Sequence, residues 1–306
     1  MLLPAAALCD GAADEPAAPA ETPIPSSEDG WWNILLLGSD SRDMTNIKGR
    51  TDTMIVLSIR TLTDPDTGEL STDIKLTSIM RDIWVHLPHN SGWNRINAAN
   101  RTGGPEMAIE TVNEYFDLDI QDYLLVNMEV LAFAIDALGG IAMDITEEEM
   151  GQINWQLGND EKEFTLSNPA RLEVYGEDVL LTGNQAVAFA RIRKLDNDFV
   201  RTARQRDVIT AIAAKAKALT LAELLVLGNS LIENVATSLD VADLTALATR
   251  CLAADMDAIG QFRVPVDGTF WYADFGGASA IDMDFEENTR LLHEFIYGSY
   301  EPETEE

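Results

Sequence analysis

Between Arg191 and Arg206 the chain holds six of its 21 Lys and Arg residues, although Asp and Glu number 52 and the formal net charge is −31. Chance does not readily place such a cluster on so acidic a background. On extended chain Arg191 and Arg193 point to one face, because strand side chains alternate with period two. Arg201, Arg204 and Gln205, at i, i+3 and i+4, share one face of a helix. Guanidinium groups that converge in this way bind phosphate through paired hydrogen bonds and stay charged at any working pH. The alternative is a surface helix salt-bridged to the abundant carboxylates.

A second constellation joins Gly38-Ser39-Asp40-Ser41-Arg42 to Gly49-Arg50-Thr51-Asp52-Thr53. Asp40 follows one apolar run and Asp52 precedes the next. If the two strands run antiparallel, both carboxylates reach the same sheet edge, with Arg42 and Arg50 beside them. Two such carboxylates suit Mg²⁺, which takes one or two protein carboxylates and completes its shell with water and phosphate oxygens. The same residues also suit an Asp-rich turn in which the carboxylates cap backbone groups. Arg81-Asp82, after a third apolar run, repeats the Asp/Arg pairing at a strand end.

Other chemistries are poorly provided for. His86, His89 and His293 are scattered, Cys9 and Cys251 cannot build a four-thiolate site, and no HExxH, GxSxG or GxxxxGK[ST] pattern occurs. A site of Asp, Arg and a metal fits phosphoryl transfer, where positioning and charge neutralisation do most of the catalysis. So acidic a surface repels nucleic acid and anionic lipid headgroups, which excludes a nucleic-acid partner.

The elements that must position these residues alternate. Short apolar runs at 33–38, 53–59 and 74–79 read as buried strands, with Trp84 to Leu87 and Tyr123 to Val126 as further strands. Helices are expected from Pro105 to Phe116 and from Asn127, as N-cap, to Leu138 before Gly139-Gly140. Ile141 to Ile145 returns as a strand, 147–180 reads as an acidic, irregular excursion, and Asn184 to Arg191 as a short helix. Long helices are expected from about Thr202, interrupted by a strand at 261–266 and closed by a helix at 285–297. This is a three-layer α/β/α domain spanning 31–300, with a central sheet between helical layers. Residues 1–30, rich in Ala, Pro, Glu and Asp, read as a disordered tether cut from an upstream membrane anchor, and 301–306 as an acidic tail.

Seven segments in order resemble the LytR-CpsA-Psr family. They are Asn33 to Arg42, Gly49 to Thr53, Ser78 to Asp82, Arg95 to Ala99, Leu138 to Ile141, Leu181 to Ala186 and Arg191 to Gln205. The resemblance implies a mixed central sheet with flanking helices and a hydrophobic tunnel for a polyprenyl chain. It implies an extracytoplasmic, Mg²⁺-dependent phosphotransferase on a Gram-positive-type cytoplasmic membrane. The enzyme would move a glycopolymer phosphate, such as teichoic acid or capsular polysaccharide, from a polyprenyl-pyrophosphate carrier to peptidoglycan. By motif, Asp40 and Asp52 hold the metal. Arg42, Arg50, Arg81, Arg191, Arg193, Arg201 and Gln205 bind the pyrophosphate, and Asp198 acts as a base or holds the arginines. Asp40, Asp52, Arg81, Arg193 and Asp198 form the implied catalytic set. Three positions depart from the family pattern: Met80 replaces a proline, Phe199-Val200 stands where glycine precedes Arg201, and Arg95 replaces a lysine. Two other readings use the same residues, a polyprenyl-pyrophosphate phosphohydrolase and a non-catalytic prenyl-phosphate-binding regulator. If a prenyl chain binds, the helices at 105–116 and 128–138 must leave an apolar cavity that ends at the arginines.

Overall fold

The computed structural model describes residues 30–39, 47–63, 67–68, 70–159, 171–195 and 197–298. Asp40 and Arg42, the expected tether up to residue 29 and the acidic tail lie outside the described residues.

Six strands form the central mixed sheet, in the spatial order β10-β3-β2-β1-β6-β9. They are β1 (Trp31–Ser39), β2 (Thr51–Thr63), β3 (Leu70–Ile79), β6 (Ile120–Asn127), β9 (Ala236–Thr237) and β10 (Gly260–Val264). β1, β2 and β3 form an antiparallel meander, and β6 and β10 join it in parallel on either side. Three two-stranded ribbons complete the strands: β4 (Trp84–Leu87) with β5 (Gly92–Arg95), β7 (Ile141–Ile145) with β8 (Gly176–Leu181), and β11 (Phe270–Asp274) with β12 (Ser279–Met283).

Period-two alternation along β1 assigns its side chains to two layers. Trp31, Leu35 and Leu37 join the core beneath α2 (Pro105–Phe116) and α9 (Phe285–Tyr297), where Val112, Phe116, Leu292 and Ile296 are buried. Trp32 and Ile34 face the opposite layer, against α8 (Val241–Ala253). A third cluster packs α3 (Met128–Ala137), α4 (Glu147–Asn159) and α5 (Gly183–Ala190) beside that layer. α6 (Asp198–Ala216) crosses the sheet, and α1 (Ala98–Gly103) and α7 (Leu221–Leu231) complete the helices. Buried Arg206 pins α6 to the sheet by donating to Ser78 Oγ at 2.6 Å and to Gln261 Oε1 at 2.9 Å.

Most expected elements appear where the pattern placed them, including the Asn127 cap, whose Oδ1 accepts from Val130 N at 2.8 Å. The segment 147–180 is a correction. It contains a regular helix, α4, and a strand, β8, rather than an irregular excursion. The helix has a readable start: Thr146 and Glu149 form a reciprocal capping box, with bonds of 3.0 Å and 3.2 Å. The acidic first turn, Glu147-Glu148-Glu149, suits the positive end of the helix dipole and is not a sign of irregularity. The β11–β12 hairpin was not anticipated either. Its turn needs Gly276 and Gly277, both at positive φ.

Candidate functional site

Antiparallel pairing brings the end of β1, the start of β2 and the end of β3 to one edge of the sheet. There Gly38 pairs with Thr53 but Ser39 pairs with Thr51, so Asp52 is an extra residue in a β-bulge. A bulge re-aims the side chain it carries. Gly38 permits the close approach, since a Cβ at that position would meet Thr53 Cβ at 2.9 Å. On the other side the β2–β3 pairing ends at Ile55 and Ser78, three residues short of Asp52 on one strand and of Arg81 beyond the other. Arg81 Nη1 donates to Asp52 Oδ1 at 2.7 Å.

The basic cluster arrives from the opposite direction. α5 ends at Ala190, and Arg191 closes it in a turn at φ −100° rather than on extended chain, a correction to the expected strand geometry. Arg193 reaches Asp52 all the same, its Nη2 lying 3.2 Å from Oδ2. Asn197 caps α6 by accepting from Phe199 N and Val200 N, which places Asp198 in the first turn. Asp198 then accepts from Arg201 Nη2 at 2.8 Å and from Arg81 Nη2 at 3.5 Å. Phe199 anchors this helix start by packing in a T-shaped pair with Phe270, and the guanidinium of Arg263 lies over its ring, 4.0 Å from the centroid. The departure from glycine here therefore fills a packing position.

Two carboxylates and three guanidiniums thus interlock. Burial would raise the Asp52 pKa, but the charge and hydrogen bond of Arg81, with Arg193 and Arg201 behind them, hold it below the usual carboxylate range. Burial likewise opposes the charge on Arg81, and Asp52 and Asp198 outweigh it, raising its pKa. Arg201 is different. Its side chain is only 3% exposed, and burial first, then the charges of Arg81 and Arg193, pull its pKa down to about 10. Its Nε is buried without a hydrogen-bond partner among the described residues. A multivalent anion would satisfy that N–H and offset the crowded positive charge.

The cluster closes one end of a cavity of about 700 Å³. Its polar end is formed by Ser39, Asp52, Arg191, Arg193, Arg201 and Gln205, and Leu36, Leu124, Val130, Leu131 and Ala134 continue it as an apolar wall. α6 supplies Val208, Ile209 and Ile212, one and two turns beyond Gln205, and α7 supplies Gly228 and Leu231. The expectation about bordering helices holds for α3 and not for α2, whose apolar face is ordinary core in the opposite layer. Arg81 touches the carboxylates without lining the cavity.

Sequence reasoning located Asp52, Arg81, Arg191, Arg193, Asp198, Arg201 and Gln205, and the structure brings all seven together. Arg50 is exposed and outside the cavity lining, and buried Arg204 turns to the partly buried Glu149, at 2.9 Å, as a structural pair. Lys194 and Trp155 were missed. Both line the cavity, with Lys194 Nζ over the indole at 3.2 Å from its centroid. The capping box at Thr146 was the signal that would have placed Trp155 on a helix. Among the described residues no three His, Cys, Asp or Glu side chains gather as a metal site. Asp52 nevertheless fits one Mg²⁺ ligand, since its carboxylate is one-third exposed (32%) and lines the cavity.

The family model of the LytR_cpsA_psr family matches residues 10–292. This chain belongs to that family. A teichoic acid transferase of Oceanobacillus iheyensis, named polyisoprenyl-teichoic acid–peptidoglycan teichoic acid transferase TagU, is 37% identical over 236 residues, 72% of this chain and 63% of the relative. The chain spans 52% to 63% of the length of such curated relatives. Among solved structures, TagT bound to LIIa-WTA superposes with a TM-score of 0.67 at 21% identity, covering 90% of this chain and 95% of that one. YwtF (TagT) with bound octaprenyl pyrophosphate lipid superposes at 0.62 and 20% identity, again over 90% and 95%. These superpositions establish the α/β fold, with its mixed sheet between helices. Among the described residues no helix is long and apolar enough to cross a membrane.

Proposed function

We propose that the protein is a phosphotransferase that moves a glycopolymer phosphate from a polyprenyl-pyrophosphate carrier to peptidoglycan, at the outer face of the cytoplasmic membrane. The observation that carries this reading is the apolar cavity of about 700 Å³ ending at Asp52, Arg193 and Arg201. Its size is that of a site for one extended ligand, and its two ends match a hydrocarbon tail and a pyrophosphate. The names of the relatives, teichoic acid transferases and an octaprenyl-pyrophosphate complex, support the same ligand class.

The chemistry follows from the charges. The tail enters the apolar wall and the pyrophosphate meets Arg191, Arg193 and Arg201. An acceptor hydroxyl oxygen bonds to the phosphorus that carries the glycan, the bridging P–O bond breaks, and polyprenyl monophosphate leaves with the electron pair. The hydroxyl proton passes to solvent. A loose phosphoryl transition state puts its charge on oxygen atoms, which is where preorganised guanidiniums act. Asp198, bonded to Arg81 and Arg201, serves to hold them in place. Asp52, with Asp40, would hold Mg²⁺, which neutralises pyrophosphate charge when bound.

The test is incubation with a polyprenyl-pyrophosphate-linked saccharide and solubilised peptidoglycan glycan, following polyprenyl monophosphate and labelled glycan. Release of polyprenyl monophosphate together with attachment of the labelled saccharide phosphate to the peptidoglycan glycan supports the transfer. Release of polyprenyl monophosphate with phosphorylated saccharide in water indicates the hydrolase, and binding without turnover indicates the regulator.

A further inference from the structure

We propose that the β11–β12 hairpin, through Tyr272, is the stacking platform for a sugar ring of the glycan acceptor. The inference rests on the phosphotransferase reading and adds the surface that delivers the second substrate. It starts from a row of rings. Phe199, the residue after Asp198, packs against Phe270 at 5.4 Å between centroids, and Phe270 packs against Tyr272 at 5.9 Å. Tyr272 therefore stands within about 11 Å of Phe199. The first two rings are partly buried in the core, but Tyr272 is 65% exposed, with Trp271 beside it 52% exposed. A lone exposed aromatic is ordinary. A row that begins at the reacting cluster and ends in a solvent-facing ring is not.

The hairpin is also fixed to that cluster. Ile281 N donates to Asp82 O at 2.8 Å, and Arg95 Nη2 donates to Ser279 O at 2.6 Å. Asp82 in turn contacts both Arg95, at 3.3 Å, and Arg81, at 3.5 Å. A ligand resting on β11 is therefore held in register with Arg81.

Geometry selects the acceptor over the donor. Attacking and leaving oxygens lie roughly in line across the transferred phosphoryl group. The leaving prenyl phosphate occupies the cavity, so the attacking hydroxyl must come from the side away from it. Neither Phe199, Phe270 nor Tyr272 lines the cavity. The chemistry selects a sugar. The electron-rich face of a tyrosine ring attracts the weakly positive C–H face of a pyranose, and its hydroxyl can bond the sugar's own hydroxyls. A net charge of −31 adds no penalty for a neutral ring, as it would for an anionic partner.

Kinetics with a polyprenyl-pyrophosphate disaccharide as donor and muramidase-solubilised glycan as acceptor test this surface. Tyr272→Ala should raise the acceptor KM at least fivefold with donor KM within twofold, and Tyr272→Phe should recover most of the loss. An unchanged acceptor KM, or a rise in donor KM instead, overturns the platform. Titration of the same glycan fragments without donor separates the two readings. Equal binding to wild type and Tyr272→Ala overturns the platform. Binding that depends on Tyr272 without any transfer supports the platform and overturns the transferase. Thermal melting checks the fold of both variants.

Discussion

Replacing Arg201 by methionine should leave the ligand-free protein at least as stable as the wild type while abolishing its stabilisation by pyrophosphate. The guanidinium is 3% exposed, so solvent screening does not discount its electrostatics. A pKa pulled down to about 10 from the ordinary guanidinium value corresponds to a cost of about 3 kcal/mol at neutral pH, at roughly 1.36 kcal/mol per pKa unit. The sign is that of a base with a lowered pKa. The folded protein holds the proton less tightly than the unfolded chain, so the cost is complete below about pH 10 and fades as pH climbs toward the ordinary guanidinium value. Methionine keeps a flexible apolar stem and removes the charge. The expected change therefore lies between none and a gain of about 3 kcal/mol, at about 2–4 °C of Tm per kcal/mol for a domain of this size class. Differential scanning fluorimetry with inorganic pyrophosphate reads both effects. At a hundredfold excess over Kd, pyrophosphate should add about 2.7 kcal/mol to the wild type and little to the variant. A variant that loses more than about 1 kcal/mol, well beyond a surface substitution, and keeps the full pyrophosphate response would refute the reasoning.

Arg193→Ala should weaken pyrophosphate binding by clearly more than the ~1 kcal/mol of a surface ion pair, and Arg193→Lys should restore it only in part, because an ammonium cannot make the two-point contact; calorimetric titration measures both. Ala134→Phe, which fills the apolar wall, should lower turnover of a long-chain polyprenyl donor at least tenfold while the Tm response to pyrophosphate persists. EDTA should stop turnover and Mg²⁺ restore it, and Asp52→Ala should not respond to Mg²⁺ although its circular dichroism is unchanged. Asp52 stabilises the fold above its ordinary pKa and loses that contribution as pH falls through its lowered folded value. Urea midpoints from pH 5 to 2 should therefore fall less steeply for Asp52→Asn.

Motif and period carried much of the site. The three apolar runs were legible as strands, and antiparallel pairing of the first two was the condition that would bring Asp40 and Asp52 to one edge. The β2–β3 pairing that carries Arg81 to Asp52 came only from the structure. Arg201 and Gln205 were legible because helical spacing fixes a shared face. Arg204 shows where spacing stops. It lies between the same two turns, yet a small rotation around α6 points it to Glu149 instead of the cavity. Helix spacing cannot decide this, because the partner comes from α4, fifty-five residues away. Trp155 and Lys194 were hidden for the same reason: their contact joins α4 to the arginine loop and leaves no local mark.

The sequence alone determined the family, the layer architecture and the residue types gathered at the candidate site, because these depend on motif, on residue type and on local periods of two and 3.6 residues. It also determined the strongly acidic net charge of −31. Only the tertiary structure decided which apolar stripe is core and which is cavity wall. The faces of α2 and α3 are alike as patterns, but α2 meets α9 beneath one side of the sheet and α3 borders the space left by α6 and α7 on the other. The same holds for Arg201. Its type suits a phosphate ligand, but its depressed pKa arises from burial beside Arg81 and Arg193, which approach from other segments of the chain. Burial and electrostatic coupling are sums over neighbours in space, and a sequence specifies those neighbours only through the fold.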